Sequence, residues 1–314
     1  MLSQSSAQAL ARLRAYTPPP TNWFNCPLTR RAAVLILLFP DRHGELKVVL
    51  TMRASTLRSY AGQAALPGGK ADTLSEKPFD TARREADEEI GLPATDTRLP
   101  AGFAVEHLCE MPANLAKTEL GVRPCVAFLR PAAKDEESNP SAAAAVEDRM
   151  IPRLDPKEVA AVFTAPFRQF LRKEWTSSTT TTGGASGEGG PKSKDGTPHS
   201  WYRGTWTDWH ESRWRMHNFY VPRSEHEMRG RRNGEGEGEG EVDDMPTFRV
   251  FGMTARILVD AARVAYGEEP EFDHNSHFGD EDMIGRLVRM GKMGEVRRAG
   301  DELTKEDLRE ASKI

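Results

Sequence analysis

Apolar side chains recur along this chain with two periods, and the switches between them mark out its elements. Ala7, Leu10, Ala11 and Leu13 fall at helical spacing within Ser3–Tyr16, and Pro18-Pro19-Pro20 stops that segment, so a short leading helix is expected. The run from Ala33 to Phe39 is continuously apolar, as in a strand buried on both faces. A second run, from Leu46 to Thr51, follows after Asp41-Arg42-His43-Gly44-Glu45, whose Asp and Gly suit a turn; together they predict a β-hairpin. From Thr81, Ala82, Ala86 and Ile90 repeat every four residues. Asp80 or Thr81 can cap that helix, and Gly91 can take the left-handed conformation that ends it. Further strands are expected at Ala101–Val105, Val122–Leu129, Val159–Phe163 and Arg215–Val221, and Met253, Ile257, Leu258, Ala261 and Val264 stripe one more helix. Strands with few helices between them indicate an α+β architecture.

Two stretches break the pattern. Residues 176–200 are mostly Gly, Ser, Thr, Pro and a few charges with no Val, Ile, Leu, Met, Phe, Trp or Tyr, and 229–244 contain alternating Gly and Glu. Neither can bury enough surface to offset the entropy of ordering, so both read as disordered insertions in one folded domain. That domain is expected over residues 30–266, after a helix and Pro-rich linker at 1–29. Residues 267–314 are highly charged, with modest helical patterns at Glu281–Met290 and Asp301–Glu310, and read as a peripheral appendage.

Charge and cysteine content narrow the function classes. Of 314 residues, 43 are Lys or Arg and 47 Asp or Glu, a net charge of -4. The balance argues against a protein held to nucleic acid or to a membrane by bulk positive charge. Cys26, Cys109 and Cys125 form no Cys-x-x-Cys pair and make an odd count, which fits a reducing compartment. The longest apolar run is far short of the roughly 20 residues that span a bilayer.

The chemistry concentrates at Pro67-Gly68-Gly69-Lys70, Glu76 and Arg84-Glu85-Ala86-Asp87-Glu88-Glu89-Ile90-Gly91. On a helix Glu85, Glu88 and Glu89 emerge from neighbouring points of one face. Like charges at that spacing cost roughly 0.2–0.5 kcal/mol per pair, a loss that an oxygen-seeking divalent cation reverses. A solvated acidic helix is the alternative. The Gly-Gly turn before it and Arg84, placed to orient a glutamate, favour a Mg²⁺ or Mn²⁺ site.

These residues resemble the box of the Nudix hydrolase family: a Gly, a Glu, then Arg-Glu-x-x-Glu-Glu-x-Gly, falling on Gly69, Glu76, Arg84, Glu85, Glu88, Glu89 and Gly91. Six residues, not the family's five, separate Gly69 from Glu76, so the resemblance fixes the role of Glu76 less firmly than those of the helix glutamates. Upstream, the stretch from Leu50 to Gly69 is similar to the added signature of the coenzyme A diphosphatase branch and its fungal peroxisomal members, with Ala54 and Leu66 in place of Ser and Phe. The resemblance resumes at Val122–Phe128, Glu158–Phe163 and Phe251–Leu258.

The resemblance implies a mixed β-sheet sandwiched between helices and metal-dependent hydrolysis of the diphosphate of coenzyme A or acyl-CoA, giving 3′,5′-ADP and 4′-phosphopantetheine or its acyl form. Glu85, Glu88 and Glu89 would hold the metal, with Glu85, Glu88 and Arg84 as catalytic residues. Arg53, Arg58, Lys70, Gly68 and Gly69 would bind substrate, the cations through charge-assisted bonds to phosphate. Ser312-Lys313-Ile314 resembles the Ser-Lys-Leu address read by a peroxisomal import receptor. The expected location is therefore the peroxisome, otherwise the cytoplasm. Two other functions fit the same residues: an oxidised-nucleotide diphosphatase of the 8-oxo-dGTP type, and a non-catalytic binding module. His210, Glu211 and His217 match no zinc spacing and read as packing or surface residues, and Trp201, Trp206, Trp209 and Trp214 as packing. His274 and His277 receive no role.

Overall fold

The computed structural model describes residues 1–53, 63–131, 146–151, 159–175, 200–209, 212–223, 247–295 and 303–313. Arg58, Ile314, residues 176–199 and the Gly-Glu stretch at 229–244 lie outside the described residues.

The leading helix α1 spans Gln4–Ala15, with the Ser3 hydroxyl accepting from the backbone N–H of Ser6 at 3.1 Å. Its buried face is Ser6, Ala9, Leu10 and Leu13, whereas Ala7 and Ala11 of the expected stripe point to solvent. The hairpin forms as expected from β1 (Arg31–Pro40) and β2 (Leu46–Arg53), with Leu38 opposite Val48. Its turn is fixed by Asp41, whose Oδ1 accepts from the N–H groups of His43 (2.8 Å) and Glu45 (2.9 Å).

Next come β3 (Ala64–Ala65), β4 (Gly68–Lys70), helix α2 (Pro78–Ile90), β5 (Phe103–Glu110), β6 (Asn114–Leu115), β7 (Gly121–Pro131) and β8 (Val159–Pro166). They complete a sheet with central order β3-β2-β1-β7-β5; β4 pairs with β1, β6 with β7 and β8 with β2. The β1–β7 pair is parallel and the others antiparallel, so the sheet is mixed.

Alternation along β1 explains its unbroken apolar run. Ala33, Leu35, Leu37 and Phe39 pack against Ala82, Ala86 and Ile90 of α2, while Ile36 and Leu38 join a second cluster on the opposite face. That second cluster holds α1, the helix α3 (Gly252–Tyr266), and a three-stranded antiparallel sheet of β9 (Tyr202–Trp209), β10 (Ser212–Pro222) and β11 (Thr247–Phe251). The fold is α+β, with a mixed sheet between helices.

Two expectations need correction. Helix α2 begins at Pro78 rather than Thr81, because proline suits the first helical position, where no N–H partner is required; it ends at Gly91 with φ 69°. The charged stretch after residue 267 is not peripheral. Its helices α4 (Glu281–Arg289) and α5 (Lys305–Lys313) bury Ile284, Leu287, Leu308 and Ala311 against Trp23, Cys26 and Ala113. Its buried charges are paired as well: Arg123 donates to Glu281 at 2.8 Å and Arg256 to Asp280 at 3.0 Å. The high mean charge conceals a narrow apolar stripe.

Candidate active site

Strand β4 and helix α2 build the site between them. Antiparallel pairing sets Gly69 opposite Ala33 and Lys70 opposite Ala32, so Gly69 faces α2 and Lys70 faces the other side of the sheet. A Cβ on Gly69 would lie 2.3 Å from Glu85 Oε2, so the carboxylate fills the space that any other residue would take. Gly68 has φ 150°, and a Cβ there would stand 2.3 Å from the Ala33 carbonyl oxygen. Both glycines are thus demanded by close approach.

The glutamates divide into different environments. Glu89 is buried, and its Oε2 accepts from the Gly68 N–H at 3.0 Å. Glu85 is half-buried against Gly69, and Glu88, one turn from Arg84, is half-exposed. Arg84 organises the group. Its Nε donates to Glu76 (2.9 Å), its Nη1 to Glu85 (3.0 Å) and Glu88 (3.3 Å), and its Nη2 to the Lys70 carbonyl (2.7 Å). Glu76 also accepts from the Asp72 N–H (2.8 Å) and the Thr81 hydroxyl (3.1 Å). Despite the one-residue shift in spacing, Glu76 is a principal anchor of Arg84.

Electrostatics separate Glu76 from Glu85. Burial acts to raise the Glu76 carboxyl, but the hydrogen bonds from Arg84, Asp72 and Thr81 outweigh it and hold the pKa below the usual range. Burial dominates at Glu85, with repulsion from Glu88 and Asp72 added, so its pKa is pushed up even with Arg84 alongside. Such a carboxylate is under-compensated by its own protein.

These donors suit a hard divalent cation, since carboxylate oxygens are the ligands that Mg²⁺ and Mn²⁺ take. Glu85 and Glu89 converge on the Gly68–Gly69 strand, and Glu88 stands one turn away, tied to Arg84. Among the described residues, no three His, Cys, Asp or Glu side chains are already gathered into a metal cage. The Nη1 of Arg84 bridges Glu85 and Glu88 in this structure.

Of the expected substrate-binding residues, Gly68, Gly69, Lys70 and Arg53 line one cavity of about 1160 Å³. Arg53 ends β2, and its Nε is buried with no hydrogen-bond partner among the described residues. The same cavity is also lined by residues not foreseen from sequence, among them Trp214 of β10, Met253 of α3, and Phe278, Met283 and Leu308.

Of the histidines set aside on zinc spacing, His217 is bound up within the fold. Both ring nitrogens of the fully buried His217 are engaged, Nδ1 with the Tyr202 hydroxyl (3.0 Å) and Nε2 with His274 Nδ1 (2.8 Å); His274 Nε2 then meets Asp260 at 2.8 Å. Burial, reinforced by His274 and by Arg215 and Arg256, drives the His217 pKa down to about 2. His210 and Glu211 lie outside the described residues. Trp201 is buried among Phe170, Trp175 and Phe219. Among the described helices, none is long and apolar enough to cross a membrane.

Residues 29–180 match the family model of the NUDIX domain. The chain is 35% identical over 172 residues to "Peroxisomal coenzyme A diphosphatase 1, peroxisomal" of Saccharomyces cerevisiae, covering 54% of this chain and 51% of that one. It is 38% identical over 145 residues to "Nudix hydrolase 15, mitochondrial" of Arabidopsis thaliana, covering 46% and 43%. The match thus spans about half the length of these relatives or less. A solved NUDIX domain, that of Shewanella oneidensis NrtR complexed with ADP ribose, is 16% identical with a TM-score of 0.26, over 45% of this chain and 75% of that one. Residues 29–180 of this chain are thus a NUDIX domain, similar in sequence to Nudix hydrolases.

Proposed function

We propose that this Nudix hydrolase cleaves the diphosphate of coenzyme A and its derivatives, yielding 3′,5′-ADP and 4′-phosphopantetheine or its acyl form. The observation that carries the proposal is the placement of strand Gly68–Lys70. One face meets the α2 carboxylates, and the other opens on a cavity that also holds Arg53 and Lys70. The similarity of Leu50–Gly69 to the coenzyme A diphosphatase signature and the name of the Saccharomyces cerevisiae relative both support this substrate. That name also supports a peroxisomal location.

In this reading Glu85, Glu88 and Glu89 hold Mg²⁺ or Mn²⁺, which when bound neutralises charge on phosphoryl oxygens and acidifies a water. Arg84 keeps Glu85 and Glu88 in register, and Glu76 keeps Arg84 in place. Gly68 and Gly69 let the backbone approach the helix carboxylates without steric bulk. Arg53, Lys70 and Arg58 supply charge-assisted bonds to the substrate phosphates.

Parallel assays with Mg²⁺ on coenzyme A and on 8-oxo-dGTP test the choice of substrate. Coenzyme A is expected to be the better substrate by kcat/KM; a large preference for the nucleotide overturns the proposal. Glu88→Gln should lose at least about 10-fold in rate, as loss of a metal-site group commonly does. A variant as active as the parent removes the metal-site argument.

A further inference from the structure

The turn between β6 and β7 holds a residue that its backbone does not favour. Leu115 pairs with Gly121, and the Glu119 N–H donates to the Ala116 carbonyl at 2.8 Å, closing a four-residue turn with Lys117 and Thr118 at its two central positions. Glu119 has φ 63°, and among the described residues it is the one non-glycine with a positive φ. Glycine or asparagine is the usual occupant of such a position in a short hairpin, because a Cβ crowds the left-handed backbone. A glutamate kept there against that preference points to something its side chain does.

That side chain is an anchor. Glu119 is buried, its Oε2 accepts from the equally buried Arg30, and its Oε1 accepts from the Leu303 N–H at 2.7 Å. Arg30 also donates from Nε to the Gly294 carbonyl at 3.3 Å. The carboxylate thus ties the turn to the linker before β1 and to the segment leading into α5. Every other residue from Leu115 to Leu120 lines the cavity that Arg53 and Lys70 also line, whereas Glu119 does not. Lys117 and Thr118 are exposed. The turn therefore sends its acid into the protein and presents a cation and a hydroxyl to the cavity.

We propose that Glu119 is a positioning residue, and that the turn it fixes carries Lys117 as a further binding residue for the phosphates of the substrate. The proposal rests on the coenzyme A reading of the same cavity and adds to it a cation that lies outside both the box and the signature upstream of it. An unanchored hairpin tip has to be ordered at each binding event. A turn already fixed by Glu119 loses little freedom when Lys117 meets a phosphate, so more of the charge-assisted bond appears as affinity.

The test has two arms, both on the full-length protein. Calorimetry in EDTA measures the affinity for coenzyme A, and hydrolysis with Mg²⁺ separates KM from kcat. Lys117→Met leaves Arg30 and Glu119 paired; it should weaken binding and raise KM by roughly ten-fold, with kcat within about two-fold, as loss of one charge-assisted bond does. Arg30→Met combined with Glu119→Gly removes both buried charges, and glycine suits φ 63°, so the turn keeps its backbone and loses its anchor. That variant should lose about three- to ten-fold in the same two measurements, the effect of leaving one long side chain to be ordered on binding. Lys117→Met added to it should lose less than about two-fold more, because the two changes act through one contact. Binding and KM unchanged in Lys117→Met, with the parent cleaving coenzyme A, overturn the role of the turn and leave the diphosphatase reading standing. Losses that multiply in the combined variant overturn the positioning role of Glu119. Weaker binding in Lys117→Met, with no coenzyme A cleaved by the parent, supports the turn as a binding element and overturns the diphosphatase reading. Neither binding nor cleavage by the parent overturns both.

Discussion

At the scale of single residues, Gly69 carries the tightest constraint in the site. The carboxylate of Glu85 occupies the volume a methyl group would need, so Gly69→Ala forces Glu85 away from the strand. A displacement of about 1 Å can cost about 100-fold in rate. We therefore expect Gly69→Ala to lose roughly that much hydrolytic activity while circular dichroism shows an unchanged fold; full activity would show that Glu85 need not contact this strand. A different residue-scale consequence follows from His217. Its pKa is about 2 in the folded protein and about 6.5 when unfolded, so between those values the unfolded state binds the extra proton. The neutral ring costs nothing above pH 6.5, and stability falls as pH drops below it. Thermal midpoints of the parent should decline more steeply from pH 7 to 4.5 than those of His217→Gln, which cannot titrate; parallel curves would contradict this assignment.

At the scale of elements, the three glutamates lie on helix α2 as their spacing requires, and Ala82, Ala86 and Ile90 form its buried face. Those features were legible because a four-residue apolar repeat and a terminal glycine are local signals. The role of Glu76 was not, since it depends on how the loop from Lys70 to Lys77 folds back to meet Arg84. Helices α4 and α5 were visible as patterns, but not as parts of the core. Ile284 and Leu287 are a small apolar minority in a charged segment, and only the tertiary position of Trp23 and Cys26 gives them a partner. Likewise His217 and His274, 57 residues apart, show no sequence relation until β10 and the 267–280 segment meet. Leu287→Ala tests the packing of α4: it should cost about 2–5 kcal/mol in urea unfolding, as for a fully buried leucine, and a loss under about 0.5 kcal/mol would mean that α4 stands free.

At the scale of the whole molecule, the NUDIX domain provides the strand and helix that hold the carboxylates, and the chain beyond residue 180 closes the cavity on the other side of that strand. The two parts thus contribute different surfaces: the carboxylates lie in the NUDIX domain, and residues beyond 180 add Trp214, Met253 and Phe278 to the cavity lining. The central claim is that this assembly adds water across the diphosphate of coenzyme A. Mass analysis of products from coenzyme A, protein and Mg²⁺ in ¹⁸O-labelled water tests it most directly. The account predicts 3′,5′-ADP and 4′-phosphopantetheine, with a single solvent oxygen in one of the two. Intact coenzyme A after prolonged incubation, or cleavage at any bond outside the diphosphate, would contradict it.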